Sequence, residues 1–131
     1  MTEQEFNQFC STLPATSYVN QWGGAHVWKV GGKVFAIGGW QHNAGSLAFT
    51  FKTSQLNYYL LSVQPGYRPA PYLASRGMTW IQLYDVSETG EDELKDHLRD
   101  SHRLVSRGLT KRRQKELGLN QDEFSGDGSC A

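Results

Sequence analysis

Seven cations crowd the stretch between residues 99 and 115: Arg99, Arg103, Arg107, Lys111, Arg112, Arg113 and Lys115, with Asp100 the one acid among them. Arg99, Arg103 and Arg107 recur every fourth residue, which on a helix stacks them along one face. Like charges at that spacing repel by about 0.2–0.5 kcal/mol per pair, so the stripe does not serve helix stability. Thr110 can cap a short helix after it. Lys111, Arg112 and Arg113 then occupy that helix's first turn, where the dipole makes each cation cost about 0.3–1 kcal/mol. An anion reverses the sign, because helix N-termini and basic side chains both favour phosphate. The chemistry on offer is anion recognition. The plainer alternative is a solvated basic face, partly paired with Asp96 and Asp100. Lys33 and Lys52 sit at strand ends and can point to a common region.

No other constellation competes. His26, His42, His97 and His102 are too scattered to read as a metal set, and the two cysteines, Cys10 and Cys130, have no zinc-site spacing. No nucleophile elbow, metalloprotease helix, P-loop or dinucleotide fingerprint occurs. Ser101 beside His102 is no catalytic pair, since adjacent helical residues diverge by about 100°. Ser101 falls on a buried helix face, where its hydroxyl is expected to bond backbone or a sheet residue. Asp85, Glu88, Glu91, Asp92, Glu93 and Asp96 gather at a helix start, where acids complement the dipole. We therefore expect no enzyme and no cofactor.

The elements that carry these residues are legible from periodicity. Thr2 and Glu5 have capping-box spacing, and Phe6, Phe9, Cys10 and Leu13 form one apolar stripe ahead of Pro14. His26 to Val30 and Lys33 to Ile37 alternate about a Gly31-Gly32 turn, and Ser46 to Lys52 alternates again. Thr53 or Ser54 caps a second helix, whose apolar face is expected at Leu56, Tyr59, Leu60 and Val63. Pro65 to Pro71 is too proline-rich for a helix or a central strand and reads as a stiff loop. Met78 to Val86 gives a fourth strand, with Trp80 at its start. A long helix spans about 91–107, with Leu94, Leu98, Ser101, Val105 and Leu109 facing the core and Gly108 suited to C′. Thr110 begins a last helix that ends near Gly118. The class is α+β: helices packed on an antiparallel sheet of about four or more strands. Residues 1–118 form one domain and 119–131 an acidic Gly/Ser tail.

Thirteen basic residues offset thirteen acidic ones over 131 residues, which at first argues against a nucleic-acid partner. Position changes that. Residues 1–98 carry six bases against eight acids, a net of −2. Residues 99–115 carry seven against one, a net of +6, and residues 116–131 carry four acids and no base, a net of −4. With 38% hydrophobic and 20% charged residues, the chain is neither disordered nor a membrane protein. The start, MTEQEFNQF, lacks the basic and apolar regions of a signal peptide, so a cytoplasmic location with reduced thiols is expected.

Several of these segments together resemble the MmcQ/YjbR family of small bacterial proteins. Trp28-Lys29-Val30-Gly31-Gly32-Lys33-Val34-Phe35-Ala36 is similar to its sheet hairpin. Lys52, the segment through Pro71-Tyr72-Leu73, Trp80, and Ser101-x-x-Leu104-Val105-x-x-x-Leu109 followed by Lys111-Arg112 fit the pattern in order. His102 departs from it, standing where an aromatic such as Tyr is usual, and the tail after 118 lies outside it. The resemblance, over about residues 4–117, implies a frataxin-like or double-wing fold and a DNA-binding role, with no enzyme activity or cofactor. It marks Lys33, Lys52, Trp80, Ser101 and Lys111 as recurring positions, either a shared site or shared architecture. The leading expectation is a DNA-binding protein that contacts phosphates through Lys33, Lys52, Arg99, Arg103, Arg107, Lys111, Arg112 and Arg113. The alternative is a small-molecule or protein-binding module. Its aromatic pocket would involve Trp28, Trp40, Tyr72, Trp80 and Ser101, rimmed by Lys33 and Lys52.

Overall fold

In the computed structural model, residues 1–21, 23–39, 47–71, 78–85 and 89–121 are described. The elements run α1 (Glu3–Ser11), β1 (Thr16–Gln21), β2 (Ala25–Val30), β3 (Lys33–Gly38), β4 (Phe49–Lys52), α2 (Gln55–Ser62), β5 (Tyr67–Pro69), β6 (Trp80–Leu83), α3 (Glu91–Arg107) and α4 (Lys111–Leu117). The six strands form one antiparallel sheet in the order β1-β2-β3-β4-β6-β5.

Local chemistry sets most boundaries. Thr2 and Glu5 close the expected capping box on α1, and Ser54 and Thr110 accept from the backbone of Asn57 and Arg113 to start α2 and α4. Gly31 and Gly32 turn the β2–β3 hairpin with φ of 57° and 87°, the primed-turn region that glycine enters without strain. A side chain at Gly31 would strike Leu109, so the turn packs directly against the α3–α4 junction. Gly38 is required for a different reason: a Cβ there would lie 2.6 Å from the Phe6 ring.

One apolar core lies between the sheet and its helices. Trp28, Phe35, Phe49, Phe51, Ile81 and Leu83 supply the sheet side. Phe6, Leu61, Leu94, Leu98, Val105 and Leu109 supply the helical side. Alternation sends Val27 and Ile37 to the opposite face, where they form a small second cluster with Ala25. Thr50 and Gln82 also occupy that face, and Arg68 Nε donates to Gln82 Oε1 across β5–β6.

Three expectations are corrected, and one strand was not foreseen. Thr16–Gln21 is a strand; its half-exposed residues gave little apolar alternation. Tyr67–Pro69 is a short strand rather than loop, and it lies at the sheet edge, where a proline is tolerated. Gly108 caps α3 in right-handed backbone, and the left-handed terminus is Gly118 after α4. Leu56, Tyr59, Leu60 and Val63 face solvent, with 52–84% of their surface exposed. The other side of α2, Leu61 with Tyr58, packs into the core against β5 and β6. Among the described residues no helix is long and apolar enough to cross a membrane.

Candidate functional site

α3 positions the basic residues through its buried face. Leu94, Leu98, Ser101 and Val105 are nearly inaccessible, which turns Arg99, Arg103 and Arg107 outward as expected. Ser101 fixes the helix against the sheet. Its Oγ donates to the Phe35 carbonyl at 2.6 Å and accepts from the Lys52 amide at 3.0 Å. His102 adds a second clamp, with Nε2 2.8 Å from the Pro14 carbonyl and its ring edge-on to Phe35.

The arginine stripe then divides. Arg99 turns to the α1 side, pairs with Asp96 at 2.8 Å and lies 5.1 Å from the Phe9 ring. Arg103 and Arg107 line a cleft on the α2 side, together with Lys52, Thr53, Ser54, Asn57, His97, Asp100 and Leu104. The cleft has a volume of about 190 Å³. Lys52 lines the cleft at the end of β4, but its register partner is Trp80, so strand alternation turns its side chain to the Trp80 side of the sheet, away from the two arginines. Among the described residues neither Lys52 nor Arg103 has an ion-pair partner.

α4 continues the basic surface past Gly108. Arg112 and Arg113 share one carboxylate, Glu116, at 3.3 Å each, while Lys111 has no ion pair among the described residues. Buried Gln114 holds α4 in place: its Nε2 donates to the Leu109 carbonyl at 2.8 Å, and Asn120 donates to its Oε1 at 2.8 Å. Lys33 is exposed beside the hairpin turn that packs on Leu109 and Leu117, the two residues flanking this basic turn.

Among the described residues the expected aromatic pocket is not assembled. Trp28 lies in the core on the helix side, donating Nε1 to Asn7 Oδ1 at 2.9 Å. Trp80 is on the opposite face of the sheet, buried, with Nε1 unpartnered. Ser101 is fully buried and its hydroxyl is occupied. Tyr72 and Trp40 lie outside the described residues. Burial pushes the Cys10 thiol far up, which makes it a poor nucleophile.

Four cleft residues were not foreseen as binding groups: Thr53, Asn57, His97 and Asp100. Ser54 was legible only as a cap. His97 stacks on Phe51 at 5.3 Å, edge-on to Tyr67, and its Nε2 is buried without a hydrogen-bond partner. Burial lowers its pKa, against an opposing pull from Glu93, Asp100 and Asp96.

A profile of the YjbR family matches residues 11–104. The chain belongs to the YjbR family. The matched segment holds the whole sheet and α3 through Leu104, while Arg107 and α4 lie beyond it. A Deinococcus radiodurans crystal structure with the DUF419 domain is similar at TM-score 0.76 and 23% identity, over 90% of this chain and 88% of that one. A Pseudomonas syringae protein is similar at TM-score 0.64 and 19% identity, over 79% and 98%. These likenesses concern the shared YjbR-type fold. No curated protein matches the chain.

Proposed function

We propose that this YjbR-family chain is a nucleic-acid-binding module, DNA foremost, rather than an enzyme. Arg103, Arg107, Lys111, Arg112 and Arg113 would contact phosphates, extended by Lys52 and Lys33. The observation that carries the reading is the run of exposed cations from Arg103 and Arg107 on α3 into Lys111, Arg112 and Arg113 in the first turn of α4. Along the chain Asp100 is the only acid between residues 99 and 115, although Asp96 pairs with Arg99 and Glu116 with Arg112 and Arg113. Arg99 is the weakest member, because Asp96 and Phe9 already engage it.

Phosphate contacts position a protein on a strand without reading its sequence, so binding should be largely non-specific. Its affinity should fall steeply with salt, with a log–log slope of about −0.9 per neutralised phosphate on duplex DNA. The test is a duplex titration at two salt concentrations, repeated with Lys111, Arg112 and Arg113 changed together to Glu. Weaker binding and a shallower slope in the triple variant are expected. No binding at low salt, or an unchanged slope, overturns the reading.

A further inference from the structure

α4 stands out from the molecule as a ridge. At about 100° per residue, Gln114 and Leu117 fall close together on the side of the helix that packs on the protein. Lys111, Arg112, Arg113, Lys115 and Glu116 spread over about 200° of the other side, and all five are exposed. Arg112 lies midway along that arc, at the crest, with 91% of its side chain in solvent. Four cations and one acid thus project from a helix seven residues long.

The β2–β3 hairpin flanks the ridge. Lys33 pairs in register with Val30, a core residue on the helix side of the sheet, so Lys33 stands on that side as well. The turn between them packs on Leu109, in the turn before α4, and on Leu117, the last residue of α4. Lys33 is exposed there and places a cation on the shoulder of the ridge.

A convex basic ridge fits a concave acidic partner. The major groove of B-form DNA is about 12 Å wide and 8.5 Å deep, and it admits an α-helix about 10–12 Å across. A single strand is held differently, in a groove with aromatic platforms for its bases. The exposed aromatic residues among those described are Tyr18 on β1, Tyr59 on α2 and Tyr84 after β6. None of them belongs to α4, to the α3–α4 turn or to the hairpin turn. Duplex RNA offers the same phosphates, but its major groove is too deep and narrow for side chains to read.

We infer that α4 docks in the major groove of duplex DNA, with Arg112 directed to the base edges and Lys33 to the flanking backbone. This rests on the nucleic-acid reading and adds to it the form of the nucleic acid and the element that enters it. Arginine suits the N7 and O6 acceptors that guanine presents in that groove. Arg112 is held by Glu116 at 3.3 Å, a solvent-exposed pair weak enough to open for them.

The experiment compares three short dye-labelled oligomers of one sequence at low salt: duplex DNA, its single strand, and the corresponding RNA duplex. Binding to the full chain is followed by anisotropy. Duplex DNA should bind tightest, by about tenfold or more, the equivalent of one charge-assisted hydrogen bond. Arg112→Gln should reduce the ratio of DNA-duplex to RNA-duplex affinity severalfold. Lys95→Gln, on the α1 side of α3, should leave that ratio unchanged. Circular dichroism confirms that each variant is folded, and the exposure of Arg112 makes its substitution a mild one. Dimethyl sulfate gives a second readout: the bound chain should shield guanine N7, in the major groove, and leave adenine N3, in the minor groove, reactive.

Binding of the single strand or the RNA duplex as tight as that of the DNA duplex overturns the inference and leaves phosphate binding intact. So does a ratio that survives Arg112→Gln, or guanine N7 left reactive in the complex. Binding to none of the three oligomers overturns the nucleic-acid reading itself, and the docking of α4 with it.

Discussion

Ser101 shows how much one side chain can settle. Its hydroxyl joins α3 to two neighbouring strands, satisfying the Phe35 carbonyl and the Lys52 amide at once. Ser101→Ala leaves both groups unpaired in a fully buried place, and should cost about 1–3 kcal/mol in a urea denaturation. That role was legible: helical periodicity buried the residue, and a buried hydroxyl must find a partner. His97 was not legible, because the strands and helices that enclose it are far apart in sequence. Burial lowers the pKa of both His97 and His102. In the unfolded chain an imidazole takes up a proton near about pH 6.5, while the folded protein resists it. The unfolded state therefore binds more protons, and stability falls as pH drops through about 6.5 toward the lower folded values. Urea midpoints at pH 8 and 5.5 should show that loss. His102→Phe should be less stable at pH 8, having lost the bond to Pro14, yet lose less on acidification.

α2 is where pattern and packing part. Leu56, Tyr59, Leu60 and Val63 make the longer apolar stripe, so amphipathicity alone assigns them to the core. The helix instead buries Leu61 and Tyr58, on the far side of the same cylinder. Two apolar faces compete on one short helix, and the sequence near it does not say which way the β5–β6 edge will meet it. Leu60→Ser and Val63→Ser should change stability by no more than about 0.5 kcal/mol, whereas Leu61→Ala should cost about 2–5 kcal/mol. Thermal melts of the three variants separate the faces; a large loss at Val63, which is 84% exposed, would contradict this packing. The strands divide similarly. The hairpin about Gly31-Gly32 was readable because glycine chemistry and alternation agree there, while Thr16–Gln21 is an outer strand with mostly polar, half-exposed residues. Tyr67–Pro69 pairs only through β6, and three residues carry no periodicity to detect.

At the scale of the molecule, the charge was legible in the chain but its division was not. Counting by position located the basic block, and folding divided it, drawing Arg99 away to Phe9 while Arg103 and Arg107 line the α2–α3 cleft. The same placement sets stability against binding at α4. Lys111 stands in the first helical turn, exposed and without an ion pair among the described residues, where a cation opposes the helix dipole. Lys111→Glu reverses that interaction and places a carboxylate four residues before Lys115, the favourable order for a helical pair. Without nucleic acid the variant should therefore be more stable than the wild type by about 0.3–1 kcal/mol. With duplex DNA it should bind more weakly, and its log–log salt slope should be shallower by about 0.9 for the one phosphate contact removed. The two changes in opposite directions, read from a melt and from a salt series on the same protein, test whether Lys111 is held at that helix start for an anion. A variant that lost stability would remove the dipole argument. One that gained stability with its salt slope unchanged would leave Lys111 as ordinary surface charge.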